Sequence, residues 1–261
     1  MSLKPLVIAL SIAAATALVP SASWALDKKE MVTILEEIDQ RQRNSGDYKA
    51  QTYIQQEEKG KEDLVYEAVI YRRDDSDQFA LLFTKPKAEA GKGYLRLDKN
   101  LFLYDPTVGR WERRTEREGI GGTNSRRSDF DESRLAEEFT PSYVGEEKLG
   151  KFKVHHLKLK AKKGADVPYP EIDLWIDVKT TNVLKQRDYA LSGKLMRTSY
   201  FPKWKKVFSE SKGADVYFPR EIRIFDEIEK GKNTTVVFLK LDLKKLPKNI
   251  FTKAWIESKS R

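Results

Sequence analysis

Residues 109–139 of this 261-residue chain contain seven arginines, of which five are the first candidates for chemistry. They flank a glycine-containing turn at residues 119–122, and the last of them directly precedes the tripeptide Ser128-Asp129-Phe130. They are Arg113, Arg114, Arg117, Arg126 and Arg127. Clustered cations attract anionic partners, so this stretch could serve an active site, bind nucleic acid or form part of a binding scaffold.

Nucleic-acid binding is the weakest of these interpretations. A groove for a single strand combines basic side chains with aromatic platforms on which bases stack. Only Trp111 and Phe130 lie near the arginines, and three glutamates interrupt the positive charge. We therefore expect no nucleic-acid partner. A structural role explains the acidic residues better, because Ser128 or Asp129 would cap a short helix at residues 131–139, whose first turn favours negative charge.

The residue types available give little support to catalysis. The chain has no cysteine, which excludes thiol chemistry and thiolate metal sites. Its two histidines, His155 and His156, are neighbours in a predicted strand, so their side chains point to opposite faces and cannot act on one substrate atom. No GxSxG, HExxH, P-loop or GxGxxG motif occurs. We therefore expect that the protein is not an enzyme, with no catalytic residue, no metal site and no cofactor.

The N-terminal residues have the layout of a secretory signal peptide. Lys4 supplies the positive region, residues 6–19 the apolar stretch, and Ser23-Trp24-Ala25 the small residues before a cut after Ala25. A membrane-spanning helix needs about 20 residues, and the apolar stretch is shorter than that. We predict a cleaved signal peptide at residues 1–25 and a single exported domain at residues 26–261. Loss of Lys4 with the signal peptide lowers the formal net charge from +9 to +8, and in an exported protein this balance fits anionic membrane surfaces or an acidic protein partner.

After the predicted signal peptide, a helical pattern gives way to alternating patterns. Met31, Ile34, Leu35 and Ile38 have helical spacing within residues 27–44. From residue 47 onwards apolar residues alternate with polar ones, and turn residues separate the segments. The predicted strands are 47–58, 62–73, 77–86, three segments between 92 and 115, and then 151–161, 171–178, 183–190, 194–200, 214–226 and 234–244.

These strands predict the fold class. Short connections imply an antiparallel sheet, and a sheet of about twelve strands must curl or close. Ile172, Leu174 and Ile176 alternate with a largely charged set of neighbours, and so do Val237, Leu239 and Leu241 in the last strand; the neighbours are Asp173, Trp175, Asp177, Phe238, Lys240 and Asp242. The expected architecture is mainly β (α+β), with a curled antiparallel sheet whose apolar face lines a concave space.

Several short motifs resemble a known family. Lys85-Pro86, Gly93, Leu103-Tyr104-Asp105-Pro106 and Gly109-Arg110 occur in order within LLFTKPKAEAGKGYLRLDKNLFLYDPTVGRWERR (residues 81–114), and SDFDESRLAEEF follows at residues 128–139. Trp175 and Asp177 mark a later hairpin, EIDLWIDVKTTNVLKQRDY. Together they resemble the outer-membrane lipoprotein-sorting proteins, relatives of the periplasmic carrier LolA, over roughly residues 48–243. One departure is Arg126-Arg127, where the family often has glycine before Ser-Asp-Phe.

The resemblance implies an incompletely closed half-barrel with helices over its concave face and an acyl chain held between them. The expected lining residues are Leu64, Tyr66, Ala68, Ile70, Leu81, Phe83, Ile172, Leu174, Ile176, Val237, Leu239 and Leu241. The expected lid or partner-contact residues are Arg113, Arg114, Arg117, Gly121, Gly122, Arg126, Arg127 and Phe130. The arginines would face anionic headgroups or an acidic partner.

Two functions in different classes remain open from the sequence. The first is a monomeric periplasmic carrier that shields the acyl chains of lipoproteins, or another lipid, between an inner-membrane transporter as donor and an outer-membrane acceptor. The second is an accessory or sensor subunit that docks to an envelope transporter. A lipid-modifying enzyme is a third possibility, but it lacks any candidate catalytic set.

Overall fold

Thirteen antiparallel strands form one open sheet in the computed structural model, which describes residues 26–43, 46–97, 100–115, 118–131 and 133–260. The predicted signal peptide and Arg117 lie outside the described residues. The strands are β1 Asp47–Glu58, β2 Leu64–Arg73, β3 Gln78–Lys85, β4 Gly93–Leu97, β5 Asn100–Asp105, β6 Arg110–Arg114, β7 Phe139–Leu149, β8 Phe152–Ala161, β9 Glu171–Asp177, β10 Val183–Tyr189, β11 Leu195–Ser209, β12 Ala214–Asp226 and β13 Lys232–Asp242. The helices are α1 Lys28–Gln42, α2 Leu135–Glu138 and α3 Lys253–Lys259.

Two meanders build the sheet. The strand order is β6-β5-β4-β3-β2-β1-β13-β12-β11-β10-β9-β8-β7, so the first and last strands of the chain pair at the centre. β6 and β7 are the two unpaired edges, and the sheet does not close into a barrel. The predicted mainly β fold with an open antiparallel sheet is therefore confirmed.

The sheet curls strongly. β2 and β11 are four strand positions apart, which would be about 19 Å in a flat sheet with strands roughly 4.8 Å apart. Arg72 in β2 and Arg197 in β11 nevertheless contact Asp131 and Asp129, two residues of one short segment. One short segment therefore bridges two strands that a flat sheet would hold well apart, which indicates that the strands curve towards each other. We call the face that carries these contacts the inner face.

Helix α1 packs on one half of the inner face. Asp27 caps it in a capping box with Glu30, and its buried side chains Met31, Leu35 and Ile38 have the spacing that the sequence predicted. They contact apolar side chains of β7 to β10. The N-terminal helix therefore covers part of the concave space, as expected for this fold.

Helix α3 covers the opposite face. Ile256 in α3 packs with Ala80 and Leu95, whose strand neighbours Leu81 and Tyr94 belong to the inner face. Successive strand residues point to opposite sides. The C-terminal helix is thus an outer support for β3 and β4, and it does not cover the concave space.

The segment before β7 differs from the prediction. The helix expected at residues 131–139 is a single turn, Leu135–Glu138, and neither Ser128 nor Asp129 caps it. The backbone N–H groups of Leu135 and Ala136 donate instead to the carboxylate of Asp39 in α1, at 2.9 and 2.8 Å. Burial raises the pKa of Asp39, although these hydrogen bonds act to lower it. A residue nearly a hundred positions away therefore supplies the cap, which local sequence patterns cannot reveal.

Candidate functional site

The first half of the inner face is a buried apolar cluster built from β1 to β5, β12 and β13, which we call the first cluster. Five of the expected lining residues lie in it, all buried: Tyr66, Ala68, Ile70, Leu81 and Phe83. They share a face because Ala68 is in register with Phe83 and Ile70 with Leu81. Cross-strand neighbours of this kind are the unit of sheet packing.

A segment made of loop and two short 3₁₀ turns, Ile120–Gly122 and Arg127–Phe130, covers the first cluster, and no described α-helix does. We call residues 118–131 the plug. Its two large apolar side chains, Ile120 and Phe130, are both buried in the first cluster. The ring of Phe130 lies 6.2 Å from that of Phe79 and 6.1 Å from that of Phe238, measured between centroids. The plug therefore fills the concave space above these strands.

Hydrogen bonds hold the first part of the plug against the sheet. The Tyr66 hydroxyl donates to the carbonyl oxygen of Gly121 at 2.9 Å, and the Gly121 N–H donates to the Tyr94 hydroxyl at 3.1 Å. The Asn124 N–H donates to Oγ1 of Thr234 at 3.0 Å. Burial raises the pKa of both tyrosines, so their hydroxyls remain protonated. These polar contacts fix the position of the plug without adding to the apolar surface area that the plug buries.

Arg72 holds the end of the plug. Its guanidinium is fully buried and donates to the carbonyl oxygen of Phe130 at 2.8 Å, to Asp74 at 2.7 Å and to the carboxylate of Asp131. The Tyr48 hydroxyl donates to the same Phe130 carbonyl at 3.0 Å. Burial acts to lower the pKa of Arg72, but Asp131, Tyr48 and Asp74 raise it above its ordinary value. The arginine therefore stays charged and paired inside the sheet.

Arg197 holds the plug from the other side. It is buried in β11, donates to the carboxylate of Asp129, and its Nε donates to Asp188 at 2.6 Å. Burial acts to lower the pKa of Arg197, but Asp129 and Asp188 raise it. Because removing one member of a buried ion pair leaves an uncompensated charge, both arginines bind the plug firmly to the sheet.

The second half of the inner face is another buried cluster, which we call the second cluster. It contains the expected lining residues Ile172, Leu174 and Ile176, packed against α1. Phe201, which is partly buried, contacts both clusters. The expected lining residues therefore divide between two neighbouring clusters with different covers, the plug and α1.

The last strand does not follow the expected alternation. Thr234, Val236 and Phe238 are buried, and a register shift opposite Gln51 and Thr52 places an extra residue in β13. Val237 and Leu239 therefore lie on the outer face, and Leu239 is 47% exposed. Their expected place on the inner face is wrong, because a β-bulge reverses the alternation. Leu241, beyond the bulge, packs against the first cluster as expected.

Leu64 is also more exposed than expected. It begins β2 and is 40% exposed, although its register partner Gln56 is buried. The first cluster ends before this position, since Tyr66 is the first residue of β2 that belongs to it. Leu64 lies at the rim of the inner face.

The expected lid residues within the described ranges separate into two groups. Gly121, Gly122, Arg126, Arg127 and Phe130 belong to the plug. Arg127 does not face solvent, because it is buried and pairs with Asp131 at 2.6 Å. Arg113 and Arg114 lie on the edge strand β6, where Arg113 is exposed and Arg114 pairs with Glu112 at 2.6 Å. The expectation that all the arginines face a partner is therefore wrong for Arg127.

Sequence reasoning missed the residues that hold the plug in place. Ile120 is the only large apolar residue between Arg114 and Phe130, which was a usable signal for a buried anchor. Arg72 continues the two-residue spacing of the inward-facing β2 residues, so its burial could have been inferred. Arg197 gave no local signal, since its partners Asp129 and Asp188 lie in other elements.

The remaining candidates for chemistry lie apart from the plug. His155 is in register with Ile176 and His156 with Trp175, so the two rings point to opposite faces as predicted. His156 stacks on Trp175 with 4.2 Å between ring centroids and lies 2.7 Å from Glu147. Within the described ranges, no cluster of histidine, aspartate or glutamate side chains is arranged to hold a metal ion. No helix in this part of the chain has the length and apolar character to cross a membrane.

Sequence comparison gives one family match. A family model described as "Uncharacterized protein" matches residues 75–258. No curated protein matches the chain with significance.

Solved structures with the same architecture cover most of the chain. A LolA superfamily protein from Nitrosomonas europaea has a TM-score of 0.71 at 19% identity, covering 88% of this chain and 100% of its own. An outer membrane lipoprotein-sorting protein domain from Vibrio parahaemolyticus has a TM-score of 0.73 at 19% identity, with the same coverage. A DUF1329 family protein from Desulfovibrio piger has a TM-score of 0.75 at 17% identity, covering 88% of this chain and 98% of its own. At these identities the likeness shows the fold.

Proposed function

Because this chain belongs to the family whose model matches residues 75–258 and has the LolA-like fold, we propose that it is a non-enzymatic periplasmic carrier of acyl chains. The cargo is the acyl part of a lipoprotein or of another lipid. Residues 26–261 act as one domain after removal of the signal peptide. An inner-membrane transporter supplies the cargo, and an outer-membrane acceptor receives it.

The plug is the single observation that carries this proposal. The first cluster is covered by a loop that contributes only two large apolar side chains, Ile120 and Phe130, and is otherwise held by polar contacts. A covering of this kind can leave as a unit, because its removal exposes the inner face without breaking a strand pairing. In the proposed loaded state, an acyl chain occupies the space of these two side chains.

Burial energies favour this exchange. The two plug side chains gain about 1.5–3 kcal/mol each from burial. An acyl chain gains about 0.8 kcal/mol per buried methylene, so about ten methylenes contribute about 8 kcal/mol. The acyl chain therefore outweighs the apolar part of the plug, while the polar contacts of Arg72 and Arg197 set the remaining cost of opening.

Weakening the plug should increase acyl affinity. We expect Ile120→Ala to bind a fluorescent fatty acid more tightly than the wild type, measured by titration of the exported chain. Removing about 2 kcal/mol of plug docking raises the population of the open form, and apparent affinity follows that population, by up to roughly 30-fold.

A matched variant separates this effect from general loss of stability. Ile256→Ala truncates an equally buried isoleucine on the outer face. It should lower stability and leave acyl affinity unchanged. Equal changes in acyl affinity in both variants would contradict the role proposed for the plug. No acyl binding by any variant would contradict the carrier function and favour a subunit that docks to an envelope transporter.

A further inference from the structure

A polar cleft lies beside the plug, where the plug meets β11, β12 and the turn into β13. Its volume is about 290 Å³, and the plug residues Gly122, Thr123, Asn124 and Arg126 form one wall. Ligand pockets for drug-sized molecules measure about 300–1,000 Å³ and are mostly apolar. This cleft lies at the lower end of that range and is lined largely by polar groups, so it suits a compact polar group and not an acyl chain.

Two charges of opposite sign line the cleft without forming ion pairs. Arg126 is half-buried, and its guanidinium has no carboxylate partner within the described ranges. Among the described residues, the carboxylate of Asp226 accepts hydrogen bonds only from the backbone N–H groups of Ile228 and Glu229, each at 2.8 Å. Arg126 and Asp226 do not pair with each other either. A ligand that satisfies both must carry an anionic group and a cationic group.

Tyr169 adds an unused hydrogen-bonding group to the same cleft. The residue is 7% exposed, and its hydroxyl has no hydrogen-bond partner among the described residues. The guanidinium carbons of Arg126 and Arg197 lie 5.2 and 5.7 Å from the centre of its ring. Buried hydroxyls normally have a partner, so this one indicates a group that the cleft receives.

The other charged residues of the cleft are already paired. Arg197 is 8% exposed and is held by Asp129 and Asp188. Lys232 pairs with Glu229 at 3.2 Å. These groups form fixed walls, and the free charges are those of Arg126 and Asp226.

We propose that the cleft binds an aminoalkyl phosphate of the ethanolamine type, with its phosphate against Arg126 and Tyr169 and its primary ammonium against Asp226. Arginine donates paired hydrogen bonds to phosphate, and a primary ammonium donates to a carboxylate. A lone anion is disfavoured by Asp226 and Glu229. The same chemistry occurs in a free aminoalkyl phosphate and in an ethanolamine phospholipid headgroup.

The lipid source of this group rests on the proposed carrier function. The cleft shares the plug with the first cluster, because Thr123 and Asn124 line the cleft and Ile120 lies three or four positions earlier in the cluster. A lipid whose acyl chain enters the first cluster could therefore place its headgroup in the cleft. Because Arg126 belongs to the plug, a headgroup bound in the cleft requires this part of the plug to stay in place while Ile120 and Phe130 move aside for the acyl chain.

Calorimetric titration of the mature chain with O-phosphoethanolamine tests the cleft without any acyl chain. We expect saturable binding that is weaker for phosphocholine, whose quaternary ammonium cannot donate hydrogen bonds, and for inorganic phosphate. Arg126→Gln should weaken binding at least about tenfold, because it removes a charge-assisted contact. Asp226→Asn keeps an oxygen for the two backbone N–H groups and should remove the preference for ethanolamine over choline.

Two further variants protect the test from effects on folding. Tyr169→Phe removes a hydroxyl that has no partner in the structure, so it should weaken binding and leave thermal stability unchanged or higher. Arg220→Gln lies in the same strand as Asp226 but outside the cleft, so it should change neither O-phosphoethanolamine binding nor thermal stability. Absence of O-phosphoethanolamine binding, or equal binding of glycine, would overturn the inference.

Vesicles distinguish the source of the ligand and separate the two proposals. Extraction of phosphatidylethanolamine in preference to phosphatidylglycerol would support the lipid headgroup. Binding of O-phosphoethanolamine without extraction of either lipid would support the cleft and assign it to a free aminoalkyl phosphate. If the mature chain binds O-phosphoethanolamine but no fatty acid, the carrier function is contradicted. If it binds fatty acid but no O-phosphoethanolamine, only the ligand proposed for the cleft is contradicted.

Discussion

Gly121 shows at the scale of one residue why the plug needs glycine. Its φ is +62°, and a Cβ atom there would lie 3.2 Å from Phe83 and 3.3 Å from Tyr66. Gly122 also has a positive φ, +75°, but a Cβ atom would meet nothing within 4 Å. A substitution at Gly122 therefore introduces backbone strain alone, whereas one at Gly121 introduces both backbone strain and crowding.

We expect Gly121→Ala to be more destabilising than Gly122→Ala. A left-handed conformation costs a non-glycine residue about 1–2 kcal/mol, and overpacking adds about 1–3 kcal/mol. Gly122→Ala should therefore cost about 1–2 kcal/mol and Gly121→Ala about 2–5 kcal/mol in urea unfolding. Equal costs would show that the plug adjusts freely above Phe83 and Tyr66.

The arginines illustrate how far residue types alone can lead. Their density in residues 109–139 suggested an outward-facing basic surface. In the structure Arg127 pairs inwards with Asp131, and the charges that hold the plug come from Arg72 and Arg197, outside that stretch. Charge in a sequence does not specify its partner, because the partners are brought together only by the folded sheet.

At the scale of an element, the bulge in β13 makes a specific prediction. We expect Phe238→Ala to lower the free energy of unfolding by about 3–5 kcal/mol, because it leaves a cavity in the first cluster. Leu239→Ala, at an exposed neighbouring position, should change it by no more than about 0.5 kcal/mol. Thermal and urea unfolding of both variants would measure the difference. The reverse order would mean that the strand alternates as its sequence suggests.

Strands with regular alternation could be predicted from the sequence, and those with irregularities could not. β9 places Ile172, Leu174 and Ile176 inwards as its pattern indicates. In β13 the extra residue of the bulge moves Val237 and Leu239 outwards, and nothing in the local pattern marks it. β7 was missed entirely, since its eleven residues include Pro141, Gly145 and three consecutive charged residues near its end.

For the whole molecule, the structure consists of a continuous sheet and a separately held plug. We therefore expect acyl loading to increase deuterium exchange in residues 118–131 while β2 and β3 keep their protection. Local opening of this kind requires only the contacts of the plug to break. Exchange followed by mass spectrometry would show it. Uniform protection on loading would mean that the ligand binds elsewhere or leaves the plug in place.

The general architecture was accessible from sequence because it depends on many repeated features. Thirteen strands with short connections define an open antiparallel sheet even when individual boundaries shift. The division of the inner face into two clusters was not accessible. It depends on which segment returns over which strands, and that is decided by contacts such as Asp39 with Ala136 and Arg197 with Asp129.

The two unpaired edges of the sheet also affect how copies of the protein behave at high concentration. An exposed edge strand is a template for another chain and a starting point for fibres. β6 is only five residues long and carries Arg110, Arg113 and Arg114, while β7 contains Pro141 and a register shift at Gly145. Repulsion between arginines opposes pairing of two β6 edges, and the irregular backbone of β7 opposes pairing along its length. These two features reduce the tendency of an open sheet to pair edge to edge with other copies, without the closure that protects a full barrel.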